Sequence, residues 1–384
     1  MLSRVVDLRV GVFCPTLNVY GGGEFVAVVI ANTLAQNNYD VIIFTSKKVN
    51  RNEMKKFFGE TLNPSIKVIA KPSNVQPKGL LDFYQTMFRS YIFKSRCDVC
   101  IDTYSNCVLP WTNITYIHFP FLNHFFYRSK FPYLKSRHLL PVGGLPYALI
   151  EKNLINDHGK LILANSNYTA EEIRKFSRKE AKVLYPPVPS IVYDENPEKL
   201  VNDERENLVV TISRFSPGKN LAKIPLIASL TNRDVKFAII GRLHHKSTLY
   251  SLKKLIRELN LEDRITLLPD ISRAEMKEIL RRAKVYLHTM VGEHFGISIV
   301  EAMAMGCIPI VHNSGGVKEF VPHRFRYQNI RDAAEKIEEA IIQWSPSKAI
   351  ETIRIAEKFK EERFSIRFKT LFEDYLNQNK LHFV

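Results

Sequence analysis

The stretch GEHFGISIVEAMAMG, residues 292–306, holds two carboxylates, Glu293 and Glu301, eight positions apart across an apolar run. On one continuous helix that spacing would set them about 80° apart and two turns from each other. Gly292 and Gly296 are poor helix residues, whereas Ile297 to Met305 is periodic, so a helix is expected to start near Gly296. Glu293 then sits on the loop before the helix and Glu301 one to two turns inside it. Together they bracket a helix N-terminus, where unpaired amides and the positive end of the dipole favour a phosphate. A loop carboxylate and an unrelated solvated one would show the same spacing, so the rest of the chain has to decide.

Cations and glycines with matching chemistry recur elsewhere. SRFSPGKN (213–220) follows the apolar run LVVTI and places Arg214 and Lys219 at a strand's end. A guanidinium forks two phosphate oxygens and an ammonium adds a point charge, the pair needed to neutralise a diphosphate leaving group; two solvated surface cations are the plain alternative. Gly21, Gly22 and Gly23 follow the first strand and precede a helix begun by Glu24, a loop whose backbone can approach a phosphate or simply turn. It lacks the G-K-[ST] of a P-loop, and Val26 occupies the last place of the dinucleotide pattern. YIHFP (116–120) ends a strand with His118, able to donate, accept or titrate, although a lone histidine is most often packed in a core. NSGG (313–316) is a further glycine turn. No D-x-D triplet occurs, so no metal is expected and a diphosphate's charge falls to Arg214, Lys219 and helix N-termini. Cys97 and Cys100 form a C-x-x-C, but CDVCID reads as a buried strand and no second pair completes a zinc set.

The elements that must position these groups alternate between strands and amphipathic helices, the signature of α/β architecture with parallel sheets. RVGVFC, DVIIFTS, IKVIA, DVCIDT, ITYIHF and LILANS supply strands in the first half; LVVTISRF, KFAIIG, RITLLP, AKVYLHT and CIPIVHN supply them in the second. Two doubly wound, Rossmann-like domains are expected: residues 1–185, then a proline-rich and acidic linker at 186–207, then 208–345, then helices over 346–384 that return toward the first domain. Ligands of open α/β sheets bind beyond the strands' carboxyl ends, where the motifs cluster, and two facing domains would make a cleft.

The 384 residues exceed one ordinary core. Lysine plus arginine number 55 against 39 acids, a net charge of +16 that calls for an anionic partner: nucleic acid, acidic lipid or a phosphorylated substrate. No nucleic-acid recognition motif accompanies it. There is no apolar run of membrane-spanning length, and the N-terminus enters a strand almost at once, so a cytoplasmic protein without signal peptide or anchor is expected. Residues 119–150 mix aromatics, prolines and cations, suited either to core packing or to reversible contact with an anionic membrane surface.

In NVYGGGEFV, YIHFP, NSNYTAEEI, VLYPPV, SRFSPGKN, HTMVGEHFGISIVEAMAMG and HNSGG, taken in order over residues 10 to 320, the chain resembles the retaining two-Rossmann (GT-B) glycosyltransferases with an E-x7-E signature. HTM, EHFGI and HNSGG narrow the resemblance to the GDP-mannose-dependent α-1,2-mannosyltransferases of lipid-linked oligosaccharide synthesis, from which the chain is expected to depart in lacking an N-terminal membrane segment. The resemblance implies that Glu293 contacts the donor sugar near the reacting carbon and that Glu301 binds the nucleotide ribose. It assigns Arg214 and Lys219 to the diphosphate, Gly22 and Gly23 to the phosphate loop, and His118 to the donor sugar. The helix start at Phe295, Gly296, Ile297 and Ser298 would meet phosphate between the two glutamates. It also implies a nucleotide diphosphate sugar, GDP-mannose, as donor, a lipid-linked saccharide or glycolipid as acceptor, and no further cofactor. An epimerase or phosphorylase on the same fold and a basic nucleic-acid binder are the competing readings; the oligomeric state is not legible.

Overall fold

The computed structural model describes residues 8–71, 80–120, 159–193, 196–202 and 204–379. Residues 121–150, most of the segment expected to be interfacial, lie outside them. The chain divides into two units: Met1–Pro189 with Glu361–Val384, and Ser190–Lys360.

Unit 1 opens with β1 (Arg9–Phe13), α1 (Gly22–Gln36), β2 (Asp40–Thr45), α2 (Arg51–Phe58), β3 (Lys67–Ala70) and α3 (Leu80–Lys94). β4 (Val99–Asp102), β5 (Ile114–Ile117), β6 (Leu161–Ala164), α4 (Asn167–Ser177) and β7 (Lys182–Val183) follow. The strands line up as β3-β2-β1-β4-β5-β6-β7, every pair parallel. Parallel strands need both faces covered, which is why they read as continuous apolar runs; β4 and β5 are buried at every position.

Unit 2 begins with α5 (Pro197–Asn202), β8 (Glu206–Ile212), α6 (Lys223–Ala228), β9 (Lys236–Gly241), α7 (Lys246–Glu258), β10 (Ile265–Pro269) and α8 (Arg273–Arg282). It continues through β11 (Ala283–His288), α9 (Ile297–Ala304), β12 (Ile308–His312), β13 (Arg326–Tyr327), α10 (Ile330–Ile342) and α11 (Pro346–Ala356). Its sheet runs β10-β9-β8-β11-β12-β13, again parallel throughout. Local chemistry marks the helix starts. Ser272 and Glu275 make a reciprocal capping box on α8, and Asn329 and Ser345 cap α10 and α11 with their side chains. The two-residue strands β7 and β13 are too short for an alternation pattern to announce them.

The boundaries differ from those expected. Residues 190–207 are part of unit 2 rather than a free linker: Val192, Leu200 and Val201 are buried, and so is Arg205. The Arg205 guanidinium donates to the carbonyls of Ala283 and Met305, each at 2.8 Å, satisfying acceptors left open where α8 and α9 end. The helices over 346–384 also split. In α11, Ala349, Ile353 and Ala356 bury in unit 2, where the Thr352 hydroxyl reaches the Met303 carbonyl. Only α12 (Glu361–Gln378) belongs to unit 1, sending Phe364, Phe368, Leu371, Phe372 and Tyr375 into the core that α1 and β1 also line.

Candidate active site

β11 ends at His288, and the loop that follows delivers Glu293 back against it. The loop is fastened through its backbone: the Gly316 amide donates to the Glu293 carbonyl at 2.8 Å, and the Gly292 amide to the Ser314 hydroxyl at 2.8 Å. Gly315, at φ +82, is an obligate glycine, since a Cβ there would stand 2.3 Å from the Glu293 carbonyl oxygen. The NSGG turn thus acts as the clasp of the glutamate loop.

The Glu293 carboxylate receives Lys219 Nζ at 2.7 Å and His288 Nε2 at 2.9 Å on one oxygen, and the His294 amide at 3.1 Å on the other. Burial by itself would raise its pKa; the Lys219 charge and the His288 hydrogen bond outweigh that and hold it well below the usual carboxylate range. An ionised acceptor requires the proton on His288 Nε2, leaving Nδ1 buried without a partner. Such a carboxylate is suited to accepting hydrogen bonds from hydroxyls and unsuited to donating a proton.

Lys219 comes from the turn Pro217–Lys219 after β8, and the Thr289 hydroxyl donates to its carbonyl at 2.8 Å. Arg214, on the same loop, is exposed and forms no ion pair among the described residues. His244, across from it, has its pKa lowered, first by burial and then by the charges of Arg214 and His245. The loops after β8 and β9 are therefore a cationic rim.

α9 starts as expected. Gly296 caps it at φ +95, where a Cβ would meet Ile299 Cδ1 at 2.5 Å. The amides of Ile297 and Ser298 have no carbonyl one turn back to bind. The Ser298 hydroxyl accepts from Tyr286 at 2.8 Å, and the Phe295 side chain packs in the core between Phe320 and Phe359. Glu301 is buried inside α9 and accepts from Arg273 Nη2 at 2.6 Å. Sequence reading missed His288 and Arg273, although His288 stands in the quoted HTM motif and Arg273 at the start of a well-capped helix.

In unit 1 the structure joins the other candidates. α1 starts at Gly22 with Gly21 as its cap, so Gly22 and Gly23 form its first turn rather than a loop before it. Glu24 draws the start forward by accepting the Gly21 amide at 3.0 Å and the Thr16 hydroxyl at 2.6 Å. A Cβ on Gly23 would lie 3.2 Å from His118 Nε2. Asn106 accepts the His118 amide at 2.7 Å, and the ring stands edge-on to Tyr116. Burial pulls the His118 pKa down to about 4 against a partly compensating hydrogen bond to the Thr103 backbone, so the ring is neutral at pH 7, with Nε2 buried and unpartnered. Among the described residues no group of three or more His, Cys, Asp or Glu is placed to hold a metal ion.

Residues 192–361 match the family described as Glycosyl transferases group 1. The match covers less than half of the chain. The two parallel-sheet units are those of the GT-B fold. HepE of Anabaena, solved with UDP and glucose, superposes on this chain with a TM-score of 0.71 over 95% of it and 99% of HepE, at 17% identity. Among curated relatives, the "GDP-Man:Man(3)GlcNAc(2)-PP-Dol alpha-1,2-mannosyltransferase" of Dictyostelium discoideum is 30% identical over 253 residues, 59% of this chain and 49% of the relative. The human protein of that name is 28% identical over 239 residues, 56% of this chain and 48% of the relative. The chain spans about half the length of these curated relatives.

Proposed function

We propose that this protein is a retaining glycosyltransferase that moves mannose from GDP-mannose to a hydroxyl of a lipid-linked oligosaccharide on the cytoplasmic side of a membrane. The observation that carries the reading is the Glu293 carboxylate, kept ionised between Lys219 and His288 at the mouth of β11, one loop ahead of the α9 N-terminus. The matched relatives supply the sugar and the acceptor class through their names.

In this reading Glu293 accepts donor-sugar hydroxyls, and the amides that open α9 and the cations Arg214 and Lys219 take the departing diphosphate. Removing one such donor typically costs about 10²–10³ in rate. Glu301, aimed by Arg273, takes the ribose hydroxyls; Gly22 and Gly23 approach phosphate, and neutral His118 serves the donor sugar. A carboxylate held by Lys219 and His288 is a weak nucleophile, which supports a same-face displacement with the phosphate accepting the acceptor's proton. Among the described residues no helix is long and apolar enough to cross a membrane, so access to a lipid-linked acceptor calls for reversible contact with an anionic surface.

Calorimetric titration with GDP, UDP and ADP in the absence of metal, for the protein and for Glu301→Ala, tests the donor assignment. GDP should bind in preference to the others and lose most of its affinity in the variant. Preference for UDP would remove the mannosyl assignment, and silence toward all three nucleotides would overturn the transferase reading.

A further inference from the structure

Unit 1 has a cavity of about 250 Å³ away from Gly23 and His118, at the edge of its sheet where α3 covers β2 and β3. Phe44, Ile69 and Phe93 form its apolar lining, and Lys71, Arg89 and Arg96 bring three cations to it. None of the three forms an ion pair or a side-chain hydrogen bond among the described residues. No described side chain pairs with their charge, in a chain that already carries a net +16.

The outer surface of α3 continues the pattern. Phe88 is 61% exposed, Tyr91 55% and Ile92 43%, in one stretch of helix where apolar side chains would ordinarily be covered. Phe88 stacks on Tyr91, and Tyr91 meets Trp111 edge-on at 5.4 Å. Trp111 in turn donates its indole N–H to Ser90 at 2.8 Å, which fixes the aromatic row to the helix. Exposed aromatics beside unpaired cations match the boundary between lipid headgroups and acyl chains, where tryptophan and tyrosine concentrate and basic residues meet phosphate.

We infer that this face of α3 is a membrane-docking site whose cavity takes one anionic phospholipid, with the headgroup phosphate on Lys71, Arg89 and Arg96 and the start of an acyl chain on Phe44, Ile69 and Phe93. Phe88, Tyr91 and Ile92 enter the surrounding headgroup layer. The cavity is small for a whole ligand but sufficient for a phosphate and the first part of a chain. The inference deepens the membrane contact proposed above, rests on that part of it alone, and is independent of the donor.

The test is flotation of the full chain with phosphatidylcholine vesicles, plain or containing about one third phosphatidylserine, at constant ionic strength. Binding should require the anionic lipid. The variant Lys71→Gln, Arg89→Gln, Arg96→Gln should bind about a hundredfold more weakly, given about 1 kcal/mol per cation at such a surface. Lys246→Gln, Lys253→Gln, Arg257→Gln removes the same charge from the exposed side of α7 and should change binding less than twofold. Phe88→Ser with Ile92→Ser should also weaken it, at exposed positions that the fold does not need.

Equal losses in the two charge variants would overturn the site in favour of the protein's overall field. Inorganic phosphate that displaces the protein from vesicles at fixed ionic strength would overturn the lipid assignment in favour of a small anion. Circular dichroism of every variant reports on folding, and GDP titration separately on the donor reading: a protein that ignores GDP yet needs α3 for vesicles loses only the latter.

Discussion

Neutral His118 makes a specific claim on pH. The unfolded chain protonates this imidazole near 6.5 and the folded one only near 4, so the folded state binds fewer protons between those values and loses stability as pH falls through them. The contribution is complete above 6.5, gone below about 4, and amounts to about 3 kcal/mol by the conversion of one pKa unit to about 1.4 kcal/mol. Urea unfolding across that range should show this slope, and His118→Asn should flatten it. Burial also lowers His312 and His244, so the variant is what assigns the effect to His118. Glu293 acts in the same direction but in a lower window: its depressed pKa contributes stability that is present above the ordinary carboxylate value of 4.5 and disappears only as pH falls below it.

The glutamate loop, as an element, depends on a glycine that contacts no ligand in the proposed reaction. Gly315→Ala would force a Cβ to 2.3 Å from the Glu293 carbonyl oxygen at a φ that L side chains rarely adopt. Backbone at φ +82, ψ −163 is essentially reserved for glycine and costs a residue with a side chain about 1–3 kcal/mol before any clash is added, so unit 2 should lose about 2 kcal/mol or more in urea unfolding. GDP affinity should fall with it, because the loop moves Glu293 and the start of α9 together. Gly218→Ala is the control: its Cβ meets nothing within 4 Å, and stability should be unchanged within error. An unaffected Gly315→Ala enzyme would show that the clasp does not set the glutamate's position.

For the whole molecule, the expected return of the C-terminal helices is made by α12 alone: a chain already committed to unit 2 sends it back into unit 1. Phe368 of α12 is fully buried among residues of α1 and β1. Phe368→Ala should therefore cost unit 1 about 3–5 kcal/mol, the usual loss for a buried phenylalanine. Scanning calorimetry should show a transition moved down, while GDP titration at room temperature stays as it was, since every donor residue placed in unit 2 keeps its packing. Loss of GDP binding with the lower transition would mean that the two units do not unfold independently.

How much of this was written in the order of residues depends on the range of the interaction. Strands buried on both faces announce themselves as apolar runs, and glycine, serine and asparagine mark helix starts, so both Rossmann-like sheets and the α9 start at Gly296 were legible. The contact that joins Glu293 to Lys219, 74 positions away, was not. His288 and Arg273 were not, because a lone histidine or arginine has no periodicity, and what sets their roles is the convergence of strand and helix ends on a buried carboxylate. The division of α11 and α12 between the two units was hidden for a related reason. An amphipathic face states that a helix will be covered and leaves open by which sheet, and only the packing of Ala349 and Ile353 in unit 2 and of Phe364 and Phe368 in unit 1 decided it.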